Sequence, residues 1–180
     1  MPQRTSTTRF RRQAGFTLIE VAIASVIVSV AVLAMLGAQQ AVHQQTAATQ
    51  ELDLGLSLAN EIREITLAMP AHDPITGAMT FGPESNETSV AHFDDIDDFA
   101  GTDGAGLTIS PPVDAHRQPK SELDDWSQNI TVEYVDPSQI NGAASATSTD
   151  LMRITVRVMH QDGEQNREVT RMRWLTRGGP

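Results

Sequence analysis

The sequence contains no cysteine. Thiol redox chemistry, thiolate metal centres and disulfide staples are therefore excluded, and any folded domain must hold by its core and sheet alone. Basic residues are scarce too: 13 Lys and Arg stand against 23 Asp and Glu, a formal charge of −10. Phosphate recognition needs clustered cations, so nucleic acid is not expected as a partner. Catalytic signatures are missing: there is no Asp-Thr-Gly-type pair, no Gly-x-Ser-x-Gly elbow and no His-Glu-x-x-His helix. The histidines, His43, His72, His92, His116 and His160, are scattered without ligand spacing. An enzyme is not expected.

What is present dominates the N-terminus. From Phe16 to Ala38 the chain runs 23 residues with one ionisable group, Glu20, and four weakly polar ones, Thr17, Ser25, Ser29 and Gly37. As a helix this run would span roughly 35 Å, enough for a bilayer core. Ahead of it lie Arg4, Arg9, Arg11 and Arg12 with no acid. That asymmetry predicts a single pass through the inner membrane with the N-terminus cytoplasmic. A secretory signal peptide has a shorter apolar core and no acid within it. A carboxylate at Glu20 costs about 2.5–3.5 kcal/mol to insert, so it calls for a partner.

The stretch Arg12-Gln13-Ala14-Gly15-Phe16-Thr17-Leu18-Ile19-Glu20 resembles the processing site of the type IV prepilin family: basic leader, Gly-Phe junction, Glu at the fifth mature position, unbroken apolar helix. The resemblance implies that residues 1–15 are a leader removed by a prepilin peptidase after Gly15. Phe16 would become the N-methylated terminus, and Glu20 would neutralise a terminal amine, its own or a neighbouring subunit's. An acid in the first turn is also favoured by the helix dipole. Loss of the leader would leave 9 basic against 23 acidic residues, a formal charge near −14. A surface so acidic repels copies of itself, so close packing would rest on the apolar helix or on few copies among other subunits.

Beyond the membrane run, residues 39–69 are expected to continue the helix amphipathically, with Leu52, Leu56, Ala59, Ile62, Ile65 and Met69 as an apolar stripe. Met69-Pro70 ends it. Gly37 and Gly55 are soft points; many pilins carry a proline near the first, where this chain has only glycine. Residues 70–180 are the expected β-rich periplasmic or extracellular head. Its first part, 70–125, is a Pro/Gly-punctuated loop in which only 78–81 and 106–109 look ordered, and a loop of that length is either functional or mobile. Period-two alternation predicts antiparallel strands at about 128–136, 151–160 and 165–175. In the first, Ile130, Val132 and Tyr134 face inward; in the second, Met152, Ile154, Val156 and Val158 do, with Arg153, Thr155 and Arg157 outward. Val169, Met172 and Trp174 are the apolar members of the third. Asp162-Gly163 marks the hairpin turn, and low-complexity residues 143–149 a flexible loop. The fold class is therefore α+β: a long helix, transmembrane in its first half, packed on a small antiparallel sheet.

Within the loop, Phe93-Asp94-Asp95-Ile96-Asp97-Asp98-Phe99 gathers four carboxylates. Together with Ser110-Pro111-Pro112 and residues 126–137 it resembles minor pilins of the mannose-sensitive haemagglutinin pilus and the pilus-modification family, which implies a minor subunit. The carboxylates allow two readings. Hard oxygens from Asp94, Asp95, Asp97 and Asp98, with Asp103, suit Ca²⁺, although the spacing is not that of the twelve-residue calcium loop. Alternatively the segment is a solvated turn pinned by Phe93, Ile96 and Phe99. The alternating Arg167, Arg171, Arg173 and Arg177 are expected on an outward sheet face. The function expected is that of a minor pilin or pseudopilin in a type IV pilus or type II secretion filament, with the prepilin peptidase and other pilin subunits as partners. A membrane-anchored periplasmic binding protein or enzyme is the alternative.

Overall fold

The computed structural model describes residues 15–75, 77, 80–145 and 147–177, and of Asp103 the backbone only. The leader through Ala14 and the short run at Ala78 and Met79 lie outside the described residues.

Helix α1 runs unbroken from Leu18 to Leu67, with no interruption at Gly37 or Gly55. It belongs to two compact units, Met1–Ala47 and Ala48–Pro180. In the first unit every described side chain is exposed. The hydroxyls of Ser25 and Ser29 turn back onto the carbonyls of Val21 (2.6 Å) and Ser25 (2.7 Å), so neither presents an unsatisfied polar group. That is what an apolar surrounding demands of them.

In the second unit, the end of α1 lies on a four-stranded antiparallel sheet ordered β1-β2-β3-β4. The strands are β1 (Leu107–Ile109), β2 (Trp126–Tyr134), β3 (Leu151–Asp162) and β4 (Gln165–Arg177). The three long strands are those the alternation predicts, and β1 grows from the short run at 106–109, pairing Leu107 with Ile130. The hairpin turn is Gly163-Glu164, with Asp162 still paired to Gln165.

The helix is rotated from the expected stripe. Gly55, Leu58, Ala59, Ile62, Ile65 and Thr66 are buried, whereas Leu52 and Leu56 are exposed. At about 100° per residue, Leu56 falls roughly 120° from the centre of the buried arc. Gly55 explains the phase: a Cβ there would lie 3.0 Å from Val169 Cγ1, so the helix comes close to β4 where it has no side chain. Val169 reaches it through a bulge. Val158 pairs with Thr170 but Met159 with Glu168, leaving Val169 as the extra residue. The bulge also reconciles Val169 with Met172, which a regular strand would place on opposite faces.

Two further expectations are corrected. Arg153 and Thr155, expected on the outward face, are buried, and over Arg153 it is the segment after β2 that folds. Arg153 pairs with Glu133 (2.8 Å) and donates to the carbonyls of Ile140 and Gly142. The segment expected to be a flexible loop is itself held: Val135 bridges to Ala144, and the Ser145 N–H donates to the Tyr134 carbonyl (2.7 Å). Low complexity removes side-chain signals but leaves backbone donors and acceptors intact.

The core joins α1, the inward faces of the sheet and residues of the long loop, among them Phe93, Ile96, Phe99 and Val113. One polar side chain sits in its middle. Gln128, fully buried, accepts from the Val113 N–H (2.9 Å) and donates to the carbonyls of Leu58 (2.9 Å) and Val113 (3.1 Å). Helix, sheet and loop are tied through this one amide.

Candidate functional site

Two regions hold the residues singled out by the sequence. At the N-terminus, Gly15, Phe16 and Thr17 precede α1. The Thr17 carbonyl accepts from Glu20 N–H (3.1 Å) and Val21 N–H (3.3 Å), which starts the helix and puts Glu20 in its first turn. The free N–H groups and dipole of that turn favour a carboxylate there. Phe16 is 81% exposed, and the large apolar side chains from Leu18 to Leu36 are exposed with it. This helix is long and apolar enough to cross a membrane, and Glu20 is the acid in its first turn.

The second region is the acidic segment. Phe93, Ile96 and Phe99 pin it to the core as expected, the two rings meeting edge to face at 5.2 Å. The solvated turn is overturned: Asp95, Asp97 and Asp98 are at most 1% exposed. The pinning causes this, since anchors at 93, 96 and 99, the last within a short 3-10 turn (Asp97–Ala100), draw the residues between them inward. Gly101 closes the turn at φ 67°, ψ 179°, a conformation nearly restricted to glycine; a Cβ there would meet the Gly106 carbonyl oxygen at 2.3 Å.

Glu84 and Glu87, which the sequence reading passed over, come to the same place. Oxygens of Glu84, Asp95 and Asp98 lie within 4.8 Å of one another, as do those of Glu87, Asp94 and Asp98. Nothing in the sequence marked them, because an aperiodic loop gives no register. Asp97 is in neither group; its Oδ2 is 3.0 Å from His72 Nδ1. The Asp103 side chain lies outside what is described.

Crowded burial moves these acids upward. Burial, reinforced by contact with Asp97, pushes Asp95 up to about 8. Burial raises Asp97 to about 6, with the charges of Asp98 and Glu84 adding to it. Asp98 and Glu87 rise mainly by burial, and Glu84 mainly by its contact with Glu87. The Tyr134 hydroxyl rises through burial and the nearby Asp97 charge.

A third cluster is a tie between elements. His160 lies 2.7 Å from Glu51 Oε1 and 3.1 Å from Asp125 Oδ2, stacked on Trp126 at 4.4 Å, while Arg167 of β4 shares Glu51. Burial opposes charge on His160, but the two carboxylates outweigh it and raise its pKa. The protonated form is favoured by folding, so its stabilisation is complete below the ordinary value near 6.5 and is lost as pH climbs through the raised one. His160→Gln should lower the thermal midpoint by about 1–3 °C at pH 5.5 and by less at pH 8.5. Equal losses at both pH values would refute the assignment. Of the arginines expected outward, Arg167, Arg171, Arg173 and Arg177 are all exposed, and Arg171 pairs with Glu168 at 2.9 Å.

Comparison with protein families finds one match: the prokaryotic N-terminal methylation motif, over residues 10–36. It spans the Gly15–Phe16 junction, Glu20 and most of the apolar run, and it ends before the head begins. No curated protein and no solved structure matches the chain. The motif is the type IV prepilin signal, here joined to a long apolar helix and a pilin-like α+β fold. It supports a type IV pilin-like protein, of a family that is structural rather than enzymatic. It implies processing by a prepilin peptidase and assembly with other pilins, and it points to anchoring in the inner membrane.

Proposed function

We propose that the protein is a minor pilin or pseudopilin, inserted in the inner membrane, trimmed between Gly15 and Phe16, and then drawn into a type IV pilus or type II secretion filament. The observation that carries this reading is Glu20 in the first turn of a helix whose apolar first part, Leu18 to Leu36, is exposed, four residues from the scissile junction. Cleavage creates a cationic amine at Phe16 in the same apolar surrounding. Each charge alone is costly there, and pairing them between axially staggered subunits offsets both and sets the register of the helices. The acidic head favours a subunit present in few copies, since like charges oppose dense self-packing.

Glu20→Ala tests the pairing. The variant should insert and be cleaved normally, yet enter the filament at about a tenth of the wild-type level or less, because the amine is left buried without a partner. Quantitative immunoblotting of sheared filaments against membrane fractions reads the outcome. Wild-type incorporation of the variant would rule out charge pairing as the assembly mechanism.

A further inference from the structure

We infer that the buried acidic cluster formed by the turns at 84–87 and 94–98 is a calcium site, with Asp98 as the ligand shared by its two carboxylate groups, Glu84/Asp95 in one and Glu87/Asp94 in the other. The mutual separation of at most 4.8 Å within each group is what one ion permits, since ligand oxygens at about 2.3–2.6 Å from calcium lie no more than about 5 Å apart.

An acidic cluster alone would not carry this. The second observation is how the buried carboxylates are held. Asp95 and Asp98 are fully buried, and each has one oxygen fastened to backbone. Asp95 Oδ1 accepts from the Asp98 N–H (3.1 Å), and Asp98 Oδ2 accepts from the N–H groups of Asp94 (3.1 Å) and Asp95 (3.3 Å). The other oxygens, Asp95 Oδ2 and Asp98 Oδ1, together with Asp94 Oδ1, have no hydrogen-bond partner among the described residues. A buried carboxylate oxygen with no donor or cation opposite it is strongly unfavourable. Orienting one oxygen by the backbone and leaving its twin bare prepares the second for a cation. The one basic group set against this segment's carboxylates in an ion pair among the described residues, His72, is engaged with Asp97, outside both groups.

The donor set selects the ion. All candidate ligands are carboxylate oxygens, which are hard, and neither group includes an imidazole nitrogen, so zinc and copper are disfavoured. The groups come from separate turns at 84–87 and 94–98; calcium tolerates flexible, carboxylate-rich coordination, whereas magnesium demands a near-ideal octahedron and keeps several waters. Because Phe93, Ile96 and Phe99 of the same segment enter the core, occupancy would be felt as stability of the head. This site is independent of the filament reading and stands or falls separately from it.

The full chain in detergent micelles, stripped with EDTA and held at about pH 7.5, is titrated with CaCl₂ and with MgCl₂ by calorimetry and thermal denaturation. Calcium should bind saturably and raise the midpoint by about 5–10 °C at about a hundredfold excess over Kd, with magnesium weaker. Asp98→Asn keeps the backbone-bonding oxygen, and Asp94→Asn changes a partly exposed member; each should weaken calcium about tenfold or more with an unchanged far-UV spectrum. If Asp98→Asn fails to fold, Asp94→Asn alone decides. Absence of heat and of a midpoint shift up to about 10 mM calcium, beyond the weak end of extracellular sites, overturns the assignment. So does wild-type affinity in Asp94→Asn. A midpoint that rises on acidification but ignores calcium also overturns it, by showing that protons shared between carboxyl groups do the neutralising.

Discussion

Co-expressed with a prepilin peptidase, the chain is expected to appear fifteen residues shorter, starting at Phe16 and carrying one added methyl group, while Gly15→Val remains full length. The effect should be nearly all or none. Gly15 is a clean place to test it, because among the described residues a Cβ there meets nothing within 4 Å. A larger side chain therefore does not clash with α1, whose first residue is Leu18. Loss of cleavage in Gly15→Val then reports the peptidase's need to bring its catalytic groups against a backbone without a side chain, and not misfolding of the substrate. Intact-mass spectrometry of membrane extracts decides. Recovery of a mature chain still beginning at Met1 in the presence of active peptidase would remove the filament reading and favour a simple membrane tether. Removal of the leader also takes away four arginines and no acid, moving the formal charge from −10 to about −14. The processed form should therefore migrate further toward the anode on isoelectric focusing.

The second large effect is expected at Gln128. Gln128→Leu keeps the volume of the side chain in the core but removes the acceptor for the Val113 N–H and the donors to the Val113 and Leu58 carbonyls. The Val113 N–H and carbonyl lose their partner at about 1–3 kcal/mol each, while the Leu58 carbonyl, inside α1, keeps its helical bond. A loss of about 3–5 kcal/mol is therefore expected, a large part of the total for a domain of this size. The thermal midpoint should fall by about 10 °C, whereas Arg173→Gln on the exposed face of β4 should change stability by no more than about 0.5 kcal/mol. Urea denaturation of the two variants side by side provides the measurement. Equal stability of Gln128→Leu and wild type would show that the Val113 N–H and carbonyl find other partners, and that the amide is not what joins loop, helix and sheet.

These two predictions come from different depths of the molecule. The first rests on residues read in order, with no knowledge of what packs on what. The second could not be framed from sequence. Gln128 lies on the inward face of β2 by simple alternation, next in line to Ile130, Val132 and Tyr134, but its partners lie 15 and 70 residues away in the chain. The acidic segment shows the same division. Its anchors Phe93, Ile96 and Phe99 were legible as apolar residues, but that they would pull the aspartates between them out of water was not. Four carboxylates in five positions read as a solvated face because, on average, charge stays outside. Glu84 and Glu87 were invisible as their companions, since proximity across an irregular loop leaves no periodic trace. Arg153 was misassigned for a related reason: alternation tells that it points away from the α1 side of the sheet, but not that residues after β2 cover that other side.

The linear order of residues determined the processing signal, the membrane-length helix and the three long strands, because each depends on interactions between near neighbours: charge beside apolar run, period two, glycine and proline at turns. Tertiary structure alone decided the phase of α1 on the sheet, set by the missing side chain at Gly55 against Val169, the short strand β1, and which carboxylates lie in the dark. Those outcomes depend on which distant surfaces meet. Burial, which turns an ordinary aspartate into one held near a pKa of 8, is a property of that meeting and not of the residue.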